Sequence, residues 1–120
     1  QQNVFGEPIE LCCNDPVTGF YRDGHCNTGP NDLGTHTVCA LMTSTFLEYS
    51  ASAGNDLSTP RPEYGFPGLV EGNRWCLCAL RWEQAHRAGK APKLYLRATN
   101  IVTLRAIPLE VLKPYALDLV

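Results

Sequence analysis

The chain reads as one α+β domain, a mixed sheet of short strands with about three helices and long ordered loops. Three observations predict this. At 120 residues and 44% apolar content, a single domain can bury about two thirds of its unfolded surface without obligatory staples. A β-branched apolar run from His36 leads straight into a capped helical segment. Stretches rich in Gly, Pro, Asn and Asp separate the periodic segments rather than forming low-complexity tracts. The domain is expected to occupy residues 1–120, with its core over about 3–116.

In chain order, Ile9 to Cys12 reads as a short edge strand, broken upstream by Pro8. Asn14-Asp15-Pro16 opens a turn, and Asp23-Gly24 closes a brief strand, so residues 9–24 are expected to form a hairpin. Residues 27–35 are turn chemistry throughout. His36 to Met42 is the clearest strand. Thr43 then caps a helix over STFLEYSASAG, with Phe46, Leu47 and Ser50 on one face and Gly54 as its stop.

Gly54 to Asn73 holds three Pro and four Gly, too long for a simple connection. Its Leu57, Tyr64, Phe66 and Leu69 predict an ordered loop packed on the core. Arg74 to Ala88 has Trp75, Cys78, Ala79, Trp82, Ala85 and Ala88 at helical spacing, which favours one amphipathic helix capped by Asn73 and stopped by Gly89 over a strand to Cys78 followed by a helix. Lys93 to Ala98 alternates as a strand, Thr99 is placed to cap a single turn, and Pro108 opens a last helix that Pro114 ends or kinks.

The net charge is -2 but uneven: residues 1–73 hold nine acids against two Arg, and residues 74–97 hold six bases against Glu83. No basic stretch is interleaved with aromatics, so no nucleic-acid partner is expected. No apolar run approaches the roughly 18 residues of a span, so no membrane association is expected either. No motif asks for a cofactor, and nothing here sets the oligomeric state.

The stretch from Glu10 to Cys39 carries four of the six cysteines and two of the three histidines, so chemistry is expected near it. Three function classes are open. In the first, a binding module, Arg22, Asp23, His36, Asp56 and Arg61 converge where the loops meet and hold a small anionic or polar ligand or a partner. In the second, an enzyme, Cys26 or Cys76 acts as nucleophile, or Asp23 and His36 act as acid and base. Strand alternation separates His36 from Cys39, whereas Cys76 sits in the first turn of its expected helix, beside the positive end of the dipole.

The third class is a structural metal domain. Cys12-Cys13 and Cys76-x-Cys78 lack the knuckle spacing, so a metal is not expected from the pattern alone. Cys12, Cys26, Cys76 and Cys78 are the weak candidates, to be joined only by folding.

The strings DPVTGFYRDG, CNTGPNDLGTHTVCA, GNDLSTPRPEYGFPGL, WCLCALRW and AGKAP resemble, in this order, the bacterial and plant proteins grouped as domain of unknown function 2237. The resemblance spans Asn3 to about Tyr115. It implies a stand-alone domain without a signal peptide in its bacterial members, hence a reducing cytoplasm, an organelle being left open. No more than one disulfide is therefore expected. It implies no activity, cofactor or catalytic residue. Position 25 is His here where similar sequences often have Cys, which weakens any ligand set that needs it.

Overall fold

In the computed structural model, which describes residues 1–119, the segment with the strongest local signal forms β1, His36–Leu41. Thr37 to Ala40 are all fully buried, so both faces of this strand are covered. Helix α1, Ser44–Ser52, follows at once. Thr43 Oγ1 accepts from the Phe46 N–H at 3.0 Å, and Gly54 takes up φ +94° just past the end. Phe46, Leu47 and Ser50 form its buried face, as their spacing predicts.

The stretch after the long loop departs from the single-helix expectation. It forms strand β2, Arg74–Cys78, and then helix α2, Ala79–Arg87. β2 runs antiparallel to β1, pairing Leu41 with Arg74, Ala40 with Trp75, Cys39 with Cys76 and Val38 with Leu77. A helix satisfies only its own backbone groups, whereas this ladder also satisfies those of the buried β1, and Trp, Cys and Leu suit a strand covered on both faces. The helical period was real only from Ala79 onward, where Ala79, Trp82 and Ala85 are buried.

Three other expected strands, the two of the 9–24 hairpin and the one at 93–98, do not form. Over residues 9–24 the N–H groups of both Cys12 and Cys13 converge on one acceptor, the Gly24 carbonyl, at 2.8 and 3.1 Å. That closes a loop but cannot start a ladder, in which alternate residues pair. At 93–98 the Asp118 carboxylate accepts from the Leu96 and Arg97 N–H groups at 2.9 and 2.8 Å, and the chain turns into a 3-10 segment over Leu96–Ala98. Asn100 rather than Thr99 caps the next turn, accepting from the Val102 N–H at 3.0 Å.

Helix α3, Leu109–Leu112, starts after Pro108 and tightens into a 3-10 turn through Pro114. Leu94 extends the sheet by single bridges, antiparallel to Ala40 and parallel to Ala116. The whole is α+β.

The sheet separates two cores. On one side Val38, Ala40, Met42, Phe46, Leu77 and Trp82 belong to a large apolar cluster. On the other, Cys12, Cys26, Cys39 and Cys76 gather with Ala98. Here the expectation of at most one disulfide fails: Cys12 is joined to Cys39 and Cys26 to Cys76. The cross-strand pair Cys39–Cys76 supplies one sulfur to each bridge; the closed 9–24 loop delivers Cys12, and Cys26 follows just after it. Buried Thr18 and Thr99 hydroxyls accept from the Cys76 and Cys39 N–H groups at 2.8 and 3.1 Å. Cys13 and Cys78 are free.

Candidate functional site

The ladder between β1 and β2 is irregular at one point, and the site grows from it. Regular pairing is lost between His36 and Val38, so His36 falls opposite Cys78 instead of keeping strict alternation with Val38 and Ala40. Such bulges re-aim a side chain. Just before it, Thr35 has φ +49°, a conformation that a β-branched residue adopts only under compulsion. Among the described residues the other non-glycine residue with positive φ is Arg22, at +53°. Strain of this kind costs about 1–3 kcal/mol per residue and gathers at functional sites.

Arg22 lines a cavity of about 580 Å³, as do Gly34 and His36 on either side of Thr35. Its polar wall includes Arg22, His36, Asp56, Arg61, Cys78 and Arg81, and Phe20, Tyr64, Phe66 and Trp75 supply apolar surface. The Arg22 guanidinium lies 5.0 Å from the centre of the Trp75 ring, and its Nη1 donates to the Gly19 carbonyl at 2.7 Å. Arg81 is steadied by the Ala53 carbonyl at 3.1 Å. Arg61 leads into the 3-10 turn Pro62–Tyr64, in a loop closed by the Leu69 N–H on the Leu57 carbonyl at 2.8 Å. Among the described residues no ion pair holds Arg22, Arg61 or Arg81.

His36 is held on three sides. Its Nδ1 lies 2.6 Å from an oxygen of the buried Asp32, which also accepts from the His36 N–H and the Thr28 hydroxyl, both at 2.9 Å. Phe20 stacks on the ring at a centroid distance of 6.3 Å. A Cβ on Gly34 would stand 2.5 Å from His36 Cε1, so only glycine permits this approach. With Nδ1–H donating to the carboxylate, Nε2 is left as an acceptor.

Burial by itself would raise the Asp32 carboxyl. The hydrogen bonds from the His36 ring, the His36 N–H and Thr28 outweigh it and hold the group below its ordinary value. The stability contributed by this carboxylate is thus fully present above the unfolded value of 3.8, and it is lost as pH falls through the lower folded value. Thermal melts between about pH 6 and about pH 2 are expected to show a steeper acid loss for the parent than for Asp32→Asn. Parallel curves would show that Asp32 carries no such linkage.

Not every expected site residue arrives here. Asp23 does not: its two oxygens accept from the His25 N–H and the Asn27 amide, each at 3.0 Å, so it serves its own turn. Asp56 does line the cavity. Its carboxylate is bonded to the Thr59 hydroxyl and the Ser58 and Thr59 N–H groups, and these hydrogen bonds, the Thr59 hydroxyl first, keep it below the usual carboxylate range.

Cys26 and Cys76, the expected nucleophiles, are consumed in a disulfide, and Cys76 lies in a strand rather than at a helix start. Of the weak metal candidates, Cys12, Cys26 and Cys76 do converge, and the sulfurs of Cys12, Cys26 and Cys39 lie within 4.8 Å of one another. Thiolates, not disulfide sulfurs, ligate cations, so with both bridges closed the cluster presents no ligand set. Cys78 stands apart, on the cavity wall.

The residues that sequence reasoning passed over are Asp32, Arg81 and Cys78 in its present role. Asp32 and His36 stand four apart, a readable signal, but Asp32 also looks like an ordinary turn residue. Among the described residues no helix is long and apolar enough to cross a membrane. In comparison with known families, residues 2–116 match the model of one described as an uncharacterized protein conserved in bacteria. No curated protein matches the chain.

Proposed function

We propose, starting from the fact that the chain belongs to the DUF2237 family, that it is a binding domain whose cavity takes a small anionic ligand carrying a carboxylate or phosphate. One observation carries this reading: three arginines share the wall of a single cavity, and none is tied up in an ion pair among the described residues. A guanidinium fork matches a carboxylate or phosphate in two parallel hydrogen bonds. The apolar rings of Phe20, Phe66 and Trp75 would bury the remainder of a small organic anion.

Calorimetric titration with inorganic phosphate and with succinate tests it. At least one is expected to bind, and Arg61→Ala is expected to weaken it about tenfold to a hundredfold, the worth of a charge-assisted hydrogen bond. No heat from either anion, or equal affinity in Arg61→Ala, would overturn the reading. A cytoplasmic location, implied by the family resemblance, suits the protein with its bridges reduced; the doubly bridged form suits an oxidising compartment.

A further inference from the structure

We infer that Cys78, His36 and Asp32 form a thiol relay in the cavity, with Cys78 the nucleophile toward a small acyl compound that bears a carboxylate or phosphate. The preference for an anion rests on the reading above. The relay rests on its own geometry.

Cys78 is one of two free thiols, and it lines the cavity together with His36. The two residues are partners across the ladder. Beside them the Ala79 N–H donates to the Thr35 carbonyl at 3.0 Å, which makes His36 and Cys78 a pair of the non-hydrogen-bonded kind. In such pairs the Cα atoms stand only about 4.5 Å apart and the side chains are nearest. Cys78 is also the N-cap of the nine-residue α2, so the positive end of a helix dipole lies beside any charge that forms on its sulfur.

Asp32 is a positioning residue: it holds Nδ1 of the ring and leaves Nε2 to receive the thiol proton. The other charged groups facing the pair across the cavity are Arg22, Asp56, Arg61 and Arg81. As the structure stands the thiol and the ring are register neighbours without a hydrogen bond between them. Contacts of this kind commonly tighten only around a bound substrate.

The chemistry balances without an outside oxidant or reductant. His36 takes the thiol proton as the sulfur adds to the carbonyl carbon. The bond from that carbon to the leaving oxygen or sulfur breaks, the leaving atom takes the proton from His36, and a thioester remains on Cys78. Water then loses a proton to His36 as it attacks the thioester carbon. The acid departs, and the Cys78 sulfur recovers the proton.

The test uses the disulfide-intact chain and two alkylating probes of the same size, anionic iodoacetate and neutral iodoacetamide, with labelling at Cys78 and Cys13 followed by peptide mass spectrometry. Cys78 is expected to favour iodoacetate over iodoacetamide by about tenfold more than Cys13 does. His36→Gln, with His36→Asn as a second variant and circular dichroism to confirm folding, is expected to slow both reagents at Cys78 by about tenfold or more while leaving Cys13 unchanged. Asp32→Asn is expected to shift the pH midpoint of Cys78 labelling alone. A monoaryl ester of succinate is expected to leave an acyl group on Cys78 and release its phenolate.

Failure of the iodoacetate preference, with dependence on His36 intact, removes the anion reading and keeps the relay. Labelling of Cys78 that is indifferent to His36 in both variants overturns the relay, whatever the preference. Absence of both acyl adduct and phenolate overturns the acyl chemistry.

Discussion

Trp82→Ala is expected to destabilise the protein by about 3–5 kcal/mol, the range for deleting a large aromatic from a core. Trp82 is fully buried. It meets Tyr115 edge-on at 5.1 Å and lies parallel to the His86 ring at 5.3 Å, so it joins α2 to the turn that follows α3. Its Nε1–H donates to the buried Pro92 carbonyl at 3.1 Å, an acceptor the alanine variant would leave without its partner. Urea denaturation measures the loss. Trp82→Phe, which keeps most of the packing but loses the donor and part of the ring, is expected to cost about 1–3 kcal/mol. A loss below about 1 kcal/mol for the alanine variant would mean that α2 is not anchored through this side chain.

The second large effect belongs to the bridges. Replacing Cys26 and Cys76 together by alanine is expected to lower stability by about 4 kcal/mol, and replacing Cys12 and Cys39 together by about 3.5 kcal/mol. The difference follows from sequence separations of 50 and 27, since a longer closed loop removes more freedom from the unfolded chain. The same denaturation series, run with and without a dithiol reductant, reads both. If the reduced parent unfolds at the same denaturant concentration as the oxidised one, the bridges contribute nothing and this expectation is wrong.

What could be read from the sequence was what neighbours decide. Thr43, the face of Phe46 and Leu47, and Gly54 fix α1 among themselves, and the run from His36 fixes β1 in the same way. What could not be read is decided at a distance. The helical period over Trp75 to Trp82 competes with a ladder whose other strand lies far back in the chain, and the ladder prevails as far as Cys78. Asp118 bends the segment at Leu96 from beyond the last helix.

The site divides along the same line. Arg22, His36, Asp56 and Arg61 were legible because loops too rich in charge and turn residues invited the reading. Cys78 became His36's neighbour only through an irregular register, and local spacing carries no mark of that.

The two bridges interleave along the chain, Cys12 to Cys39 and Cys26 to Cys76, and this bears on how the molecule meets proteases. Any single peptide bond between Cys12 and Cys76 is spanned by at least one bridge. A nick in the exposed loop around Tyr64, or anywhere in β1 or α1, therefore leaves two polypeptides still fastened to each other. The cavity is built almost wholly inside that span, with Leu77, Cys78 and Arg81 beyond it, so a clipped molecule keeps its walls connected. A single cut can release a piece, with the bridges closed, only before Cys12 or after Cys76.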